Sequence, residues 1–270
     1  MTIDYLSYSQ CKSYASCPRS WYLGKLRLAE EKQTWYIPMG SAVHDMIEYH
    51  LGEPGQAMPS AESFFYHLIE KQLLIEPDTS TWLYSGPEDG PYVKERALQH
   101  VKDCFEKALS FLSELDVWEV EYELKGDLPG CEVPIKGFVD IIAEHPKKGL
   151  VIIDWKTGTT KPDNFQLETY AALLKVTGEY QDNSFQGRYA MLSPAYKSVT
   201  RYVDLSGIEP ERVGKKYQEV YDQMKRKIYR ADPNHFKCNY CFQQDNCLLN
   251  AGPTERSEYY DRSEQDGIPY

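Results

Sequence analysis

The sequence predicts an α/β fold: a mixed sheet flanked by helices, with a helical N-terminal region ahead of it. Two observations carry this. Helical periodicity runs to about residue 115 and then gives way to strand-like runs. Those runs are followed by helix, strand, strand and helix, an alternation that builds a sheet with helices packed on it.

In order, Ser9 to Leu23 reads as a helix or helical turn with Cys17-Pro18 inside it. Gly40 to Leu51 is a second helix, with Val43, Met46, Ile47 and His50 near one face. Residues 52–59, Gly-Glu-Pro-Gly-Gln-Ala-Met-Pro, form a loop. Ser60 to Ile75 is a third helix, with Ser60 or Ser63 as N-cap. Residues 77–91, rich in Pro, Gly, Asp and Ser, read as a mobile loop. Tyr92 to Leu115 is the clearest long helix, because Val93, Ala97, Val101, Phe105, Ala108 and Leu112 keep the helical period. Three strands follow, Val117 to Leu124, Val133 to Ala143 and Leu150 to Trp155, with turn chemistry at Gly126–Gly130 and His145–Gly149. Pro162 to Val176 is an amphipathic helix stopped by Gly178. Arg188 to Leu192 and Val199 to Leu205 return to strand, and Pro210 to Tyr229 is the last long helix. One domain is expected over 1–252, with a helical part at 1–115, a core at about 116–206 and a polar, frayed tail at 253–270.

An apolar fraction of 41% and an aromatic fraction of 13% suffice for a packed core and argue against disorder over most of the length. The net charge of -11 argues against non-specific binding of a polyanion over the whole surface. It leaves room for a local basic groove, or for metal ions that bring positive charge into an acidic site. The N-terminus has no basic stretch followed by an apolar one, and no run approaches the roughly 20 apolar residues that span a bilayer. No membrane association and a cytoplasmic location are therefore expected. The cysteines number 7, so they cannot all pair within the chain, and clustered cysteines in such a compartment are more often metal ligands than disulfides.

The chemistry concentrates at two strand ends. Asp140 follows Gly137-Phe138-Val139, and Asp154-Trp155-Lys156 follows Leu150-Val151-Ile152-Ile153. In a strand, residues two apart share a face, so Asp154 and Lys156 project together and Trp155 packs on the other side. Two carboxylates offer hard oxygen ligands to Mg²⁺ or Mn²⁺. A metal so held lowers the pKa of its bound water and polarises a phosphate, while Lys156 orients that water, stabilises charge or transfers a proton. Glu121 and Glu123, on the preceding strand, are equal candidates for a further carboxylate.

Gly137-Phe138-Val139-Asp140, then Ile153-Asp154-Trp155-Lys156-Thr157-Gly158, then Gln166-Leu167 and Tyr170 resemble the PD-(D/E)XK nuclease superfamily, in particular its RecB-type and Cas4 exonuclease branch. That branch carries a Gly-x-x-x-His helix ahead of the strands, here Gly40-Ser41-Ala42-Val43-His44. The first motif lacks the nominal Pro, as is common in the branch. The resemblance covers about residues 6–250 and implies a restriction-endonuclease-like core. It assigns metal binding to His44, Asp140, Asp154 and the Trp155 position, and the reaction to Asp140, Asp154, Lys156, Gln166 and Tyr170. Gln166 and Tyr170, four apart, fall on one helix face.

Cys238-x-x-Cys241 and Cys247 lie near the C-terminus, and Cys17 lies far away in Cys17-Pro18-Arg19-Ser20-Trp21-Tyr22. One remote cysteine and a C-terminal trio resemble the iron–sulfur arrangement of Cas4 and AddB-type nucleases. The resemblance implies a 4Fe–4S cluster on Cys17, Cys238, Cys241 and Cys247, within a region at 231–250, that clips the two chain ends together. Thiolate spacing alone leaves zinc open as the alternative, and Cys11 is the rival of Cys17.

For DNA contact, Lys12, Arg19, Lys25 and Arg27, or Lys215, Lys216, Lys225, Arg226, Lys227 and Arg230, offer a phosphate groove. Tyr14, Trp21, Tyr22, Trp35 and Tyr36 offer rings for unpaired bases. For any one of them a solvated helix face or a core position is the simpler reading. The expected function is a metal-dependent exonuclease on single-stranded or end-bearing DNA, in recombination, repair or phage DNA processing, with a possible helicase or recombination partner. The rival readings are a non-catalytic DNA-binding or assembly module and a structure-specific endonuclease.

Overall fold

The computed structural model describes residues 2–26, 33–52, 55–82, 91–158, 162–178, 180, 184–196, 200–233, 238, 241–243 and 246–247. Helix α1 (Tyr8–Ser16) is capped by Ser7, whose hydroxyl accepts the Gln10 N–H at 3.2 Å. The single helix expected over 9–23 is two helices. Cys17 is extended, with φ -158° and ψ 103°, because the ring of a following proline disfavours helical backbone. Pro18 then opens α2 (Pro18–Leu26), where its missing N–H costs nothing.

Helix α3 (Tyr36–Gly52) starts ahead of the expected Gly40 and carries Pro38 in its first turn, where proline is tolerated. Helix α4 (Ala61–Ile75) takes Ser60 as its cap, the hydroxyl accepting the Ser63 N–H at 3.3 Å. Part of the expected 77–91 loop is ordered as a short 3₁₀ turn, Thr79–Thr81, followed by a buried Trp82. The rest of it, 83–90, lies outside the described residues, as does the expected tail at 253–270. Helix α5 (Pro91–Leu112) buries Val101, Phe105, Ala108 and Leu112, the expected stripe.

Five strands form one mixed sheet in the order β1 (Asp116–Gly126), β2 (Ile135–His145), β3 (Gly149–Lys156), β4 (Gln186–Met191) and β5 (Val203–Asp204). All neighbours are antiparallel except β3 and β4. That parallel pair is joined by α6 (Phe165–Thr177), the crossover a parallel connection requires. Gly178, at φ 70°, ends α6 with its N–H on the Leu174 carbonyl. Strand β5 is shorter than expected: it pairs only with Gln186 and Gly187, and Val199 lies outside the described residues. Helix α7 (Pro210–Lys225) stops short of the expected Tyr229.

The sheet divides two cores. On one face Leu124, Val139, Ile152, Leu167 and Leu173 pack with α1, α6 and α7. On the other, Ile141, Val151, Ile153 and Trp155 pack with α3, α4 and α5. Strand β3 is buried on both faces, which is why its sequence is a near-continuous apolar run. It pairs with β2 only from Ile141 to His145. Beyond that point the chain start covers part of the exposed edge: Leu6 donates to the Pro134 carbonyl at 3.0 Å and accepts from the Lys136 N–H at 2.8 Å.

Candidate active site

The candidate groups gather where β2 and β3 part. Asp140 stands there, and its carboxylate takes over the role of a missing strand partner: Oδ2 accepts the Trp155 N–H at 2.6 Å. Strands β1 and β2 both change faces at this point. Val120 and Ile141 pack in the α5-side core, whereas Tyr122 and Val139, two residues away on the same strands, pack in the α6-side core. Residues two apart normally share a face, so each strand is inverted around one residue. On β1 that residue is Glu121, at φ 48°, a left-handed conformation that costs a non-glycine residue about 1–2 kcal/mol. On β2 it is Asp140.

The inversion brings Glu121 to His44 on α3. His44 Nδ1 lies 3.2 Å from Glu121 Oε1 and 3.6 Å from Asp140 Oδ1. Among the described residues this is the one set of His, Cys, Asp and Glu side chains whose ligand atoms converge, all within 4.8 Å. Glu123, the other carboxylate left open by the sequence, pairs with Lys136 at 3.0 Å and takes no part.

A closed ring of side chains adjoins that set. Asp154 and Lys156 point to the α6 face, and the Lys156 ammonium makes an ion pair with Asp154 Oδ2. Lys156 Nζ also donates to Gln166 Oε1 at 3.1 Å, and Gln166 Nε2 donates to the Tyr170 hydroxyl at 2.7 Å. Tyr170 closes the ring with a long 3.5 Å contact to Asp154 Oδ1. Both ends of the Gln166 amide are matched to their partners, which fixes its orientation. Space for the ring comes from Gly137, where a Cβ would stand 2.9 Å from Tyr170 Cε1. Trp155 faces the other way, edge-on to Phe111 at 5.6 Å between ring centres, so only its main chain can reach the site.

Charge in this corner is unbalanced. Burial, and then the neighbouring Asp154, push the Asp140 carboxyl up to about 8. Burial also raises Asp154, against the pull of Lys156. Burial pulls His44 down, but the Glu121 hydrogen bond and the Asp140 charge outweigh it and hold the imidazole up to about 9. Asp154 Oδ2 is buried without a well-formed hydrogen bond, since the Lys156 ammonium is near but poorly directed. The converging donor set of one imidazole and two carboxylates, with the Asp154 carboxylate adjoining it, suits a divalent ion of the Mg²⁺ or Mn²⁺ type. A cleft of about 460 Å³ opens onto the ring, and His44 joins it to a second cleft beside Asp45, Glu48 and Glu121.

The other expected groups are less convergent. The four cysteines form no converging set among the described residues, but Cys241 Sγ lies 3.3 Å from Ser20 Oγ, three residues after Cys17. Cys11 is buried. Of the rings offered for bases, Tyr14, Trp21 and Trp35 are buried in the cores, and Tyr22 stacks on Tyr229 at 4.1 Å. Lys215 and Lys225 pair with Glu211 and Glu132 at 2.7 Å each, and Arg27 lies outside the described residues.

The family model of the PD-(D/E)XK nuclease superfamily matches residues 5–247. The Gene 69 protein of Mycobacterium phage L5 is 22% identical, over 89% of this chain and 95% of its own length. The Gene 69 protein of Mycobacterium phage D29 is also 22% identical, over 89% of this chain and 95% of its own length. A crystal structure of a candidate exonuclease from Eubacterium rectale has the same fold, with a TM-score of 0.50 and 14% identity over 93% of this chain and 90% of that one.

Proposed function

The chain belongs to the PD-(D/E)XK nuclease superfamily, and on that premise we propose that it is a divalent-metal-dependent DNA exonuclease acting on single-stranded or end-bearing DNA. The observation that carries this reading is the closed ring of Asp154, Lys156, Gln166 and Tyr170 set against the His44–Glu121–Asp140 cluster. The likeness of the motifs to the RecB and Cas4 branch supports the exonuclease assignment.

His44, Glu121, Asp140 and Asp154, with the Trp155 main chain, would hold Mg²⁺ or Mn²⁺. When bound, the ion supplies charge neutralisation at the phosphate and a lowered pKa for a coordinated water. The chain does the rest. Gln166 and Asp154 hold the Lys156 ammonium at the mouth of the cleft, where it orients the attacking water and meets charge that develops on the phosphate. Burial and the charge of Asp154 raise the Tyr170 phenol well above its ordinary value, so it stays a hydrogen-bond donor and fixes Asp154.

Residues 1–252 act as one nuclease domain. Cys17, Cys238, Cys241 and Cys247 would hold a 4Fe–4S cluster, with zinc as the alternative, and such a cluster would tie the C-terminal segment to the α1–α2 junction. The approach of Cys241 to Ser20 supports this placement. An iron assay and a visible absorption spectrum on oxygen-free protein decide between the two metals. The phage relatives make phage DNA metabolism in an infected cell the fitting context, with a helicase or recombination protein as a candidate partner.

The test is digestion of linear and circular single-stranded DNA with Mg²⁺ or Mn²⁺. Linear DNA should disappear, the circle should survive, and EDTA should stop the reaction. Cleavage of the circle would make the protein an endonuclease. Binding without cleavage of either substrate would make it a binding module.

A further inference from the structure

The cleft extends past the proposed reacting groups. Beyond Asp140 its wall is formed by Phe138, Lys136 and Tyr5. Phe138 is 45% exposed although Val139 and Asp140 beside it are buried, and Tyr5 is 38% exposed. Lys136 Nζ lies 4.9 Å from the Phe138 ring centre and 5.9 Å from that of Tyr5, so two rings flank one ammonium. Glu123 Oε2, 3.0 Å away, steadies that ammonium.

The sheet explains the placement. Strand β3 pairs with β2 only from Ile141 onward, and Leu6 covers β2 only at Ile135 and Lys136. Leu6 thereby sets Tyr5 beside Lys136. Phe138 falls in the uncovered stretch, two residues or roughly 7 Å along the strand from Asp140.

Single exposed rings are common and need no explanation. Two rings around a cation on the wall of a phosphodiester-cleaving cleft are a narrower arrangement. Their occupant has to be flat, apolar on its faces and attached to an anion, which describes an unpaired nucleobase and its phosphate. A base inside a duplex has both faces covered by its neighbours and cannot lie on Phe138 without unstacking. We propose that Phe138, with Tyr5 and Lys136, forms a stacking ledge that takes an unpaired base next to the scissile phosphate, and so makes the site select single-stranded over duplex DNA. This rests on the reading of the site as a DNA nuclease.

The test uses the full chain, Mn²⁺ and end-labelled single strands in which an abasic nucleotide replaces each position in turn. For wild type, one abasic position near the cut should slow cleavage roughly 5- to 160-fold, the range for loss of one stacked base. Phe138→Ala should slow cleavage of intact single strand by a similar factor, lose its sensitivity to that abasic position and lose its preference over blunt duplex. Phe138→Trp should restore all three. An abasic profile that is flat in wild type, or unchanged in Phe138→Ala, overturns the ledge even if the variant folds poorly, because the first readout needs no variant. If wild type cuts no DNA, the nuclease reading fails. The ledge is then judged by fluorescence anisotropy in EDTA, where equal affinity for intact and abasic strands overturns it separately.

Discussion

Replacing Asp140 with Asn should flatten the pH dependence of stability in metal-free protein. The folded-state carboxyl is held at about 8, against an ordinary value of 3.8. The native state therefore keeps a proton that the unfolded chain releases. The associated stability is fully present below about pH 4 and is lost as pH rises toward 8. His44, raised from 6.5 to about 9, acts with the same sign between those values. One such group contributes up to about 1.4 kcal/mol per pH unit, or up to about 3 kcal/mol from pH 5.5 to 7.5. In a chain of this size that is roughly 6–9 °C of melting temperature. Asn can keep the Trp155 N–H bond through its carbonyl oxygen, so the substitution removes the titrating carboxyl and, with it, part of the charge that holds His44 up, and both contributions shrink together. The assay is a set of thermal melts in EDTA at pH 5.5, 6.5 and 7.5, read as the difference between variant and wild type so that other titrations cancel. That difference should move in favour of Asp140→Asn as pH rises. A difference that stays constant, or moves in favour of wild type, refutes the argument from buried acids. Excess Mn²⁺, at about a hundred times its Kd, should raise wild type by about 2.7 kcal/mol and leave the variant nearly unmoved.

Other expectations follow from the same geometry. Gly137→Ala places a methyl group against the Tyr170 ring and should reduce cleavage roughly 10- to 100-fold through misplacement of Gln166 and Asp154, with a near-normal melting temperature. Glu121→Gln should weaken Mn²⁺ binding by at least about tenfold in a melting titration, whereas Glu123→Gln, which loses only a surface pair, should not. Lys156→Ala should lower cleavage by about 100-fold or more while keeping the Mn²⁺-induced rise in melting temperature, which separates its role from metal binding.

Much of the site's geometry was legible in the sequence because it is local. The two-residue period of a strand puts Asp154 and Lys156 together and Trp155 behind them. The four-residue spacing of a helix puts Gln166 beside Tyr170. The split at Cys17 was also written there, since a residue before proline resists helical backbone. What was hidden depends on long-range pairing. Glu121 and Glu123 have the same parity and equal propensity, and only the left-handed backbone at Glu121, where β1 changes faces beside β2, sends one to His44 and leaves the other at the surface. The burial of Tyr14, Trp21 and Trp35 follows from which helix packs on which sheet face, so counting aromatic rings could not separate core rings from exposed ones such as Phe138. The unpaired stretch of β2 that exposes Phe138 arises because β3 pairs only with its second half, a fact of register rather than of composition.

The most direct measurement is digestion of end-labelled linear single-stranded DNA with Mg²⁺ or Mn²⁺, wild type beside Asp154→Ala. Wild type should release the label and the variant should not, with EDTA abolishing the wild-type reaction. Equal digestion by both proteins would contradict the site assigned here. Digestion by neither would contradict the nuclease activity itself.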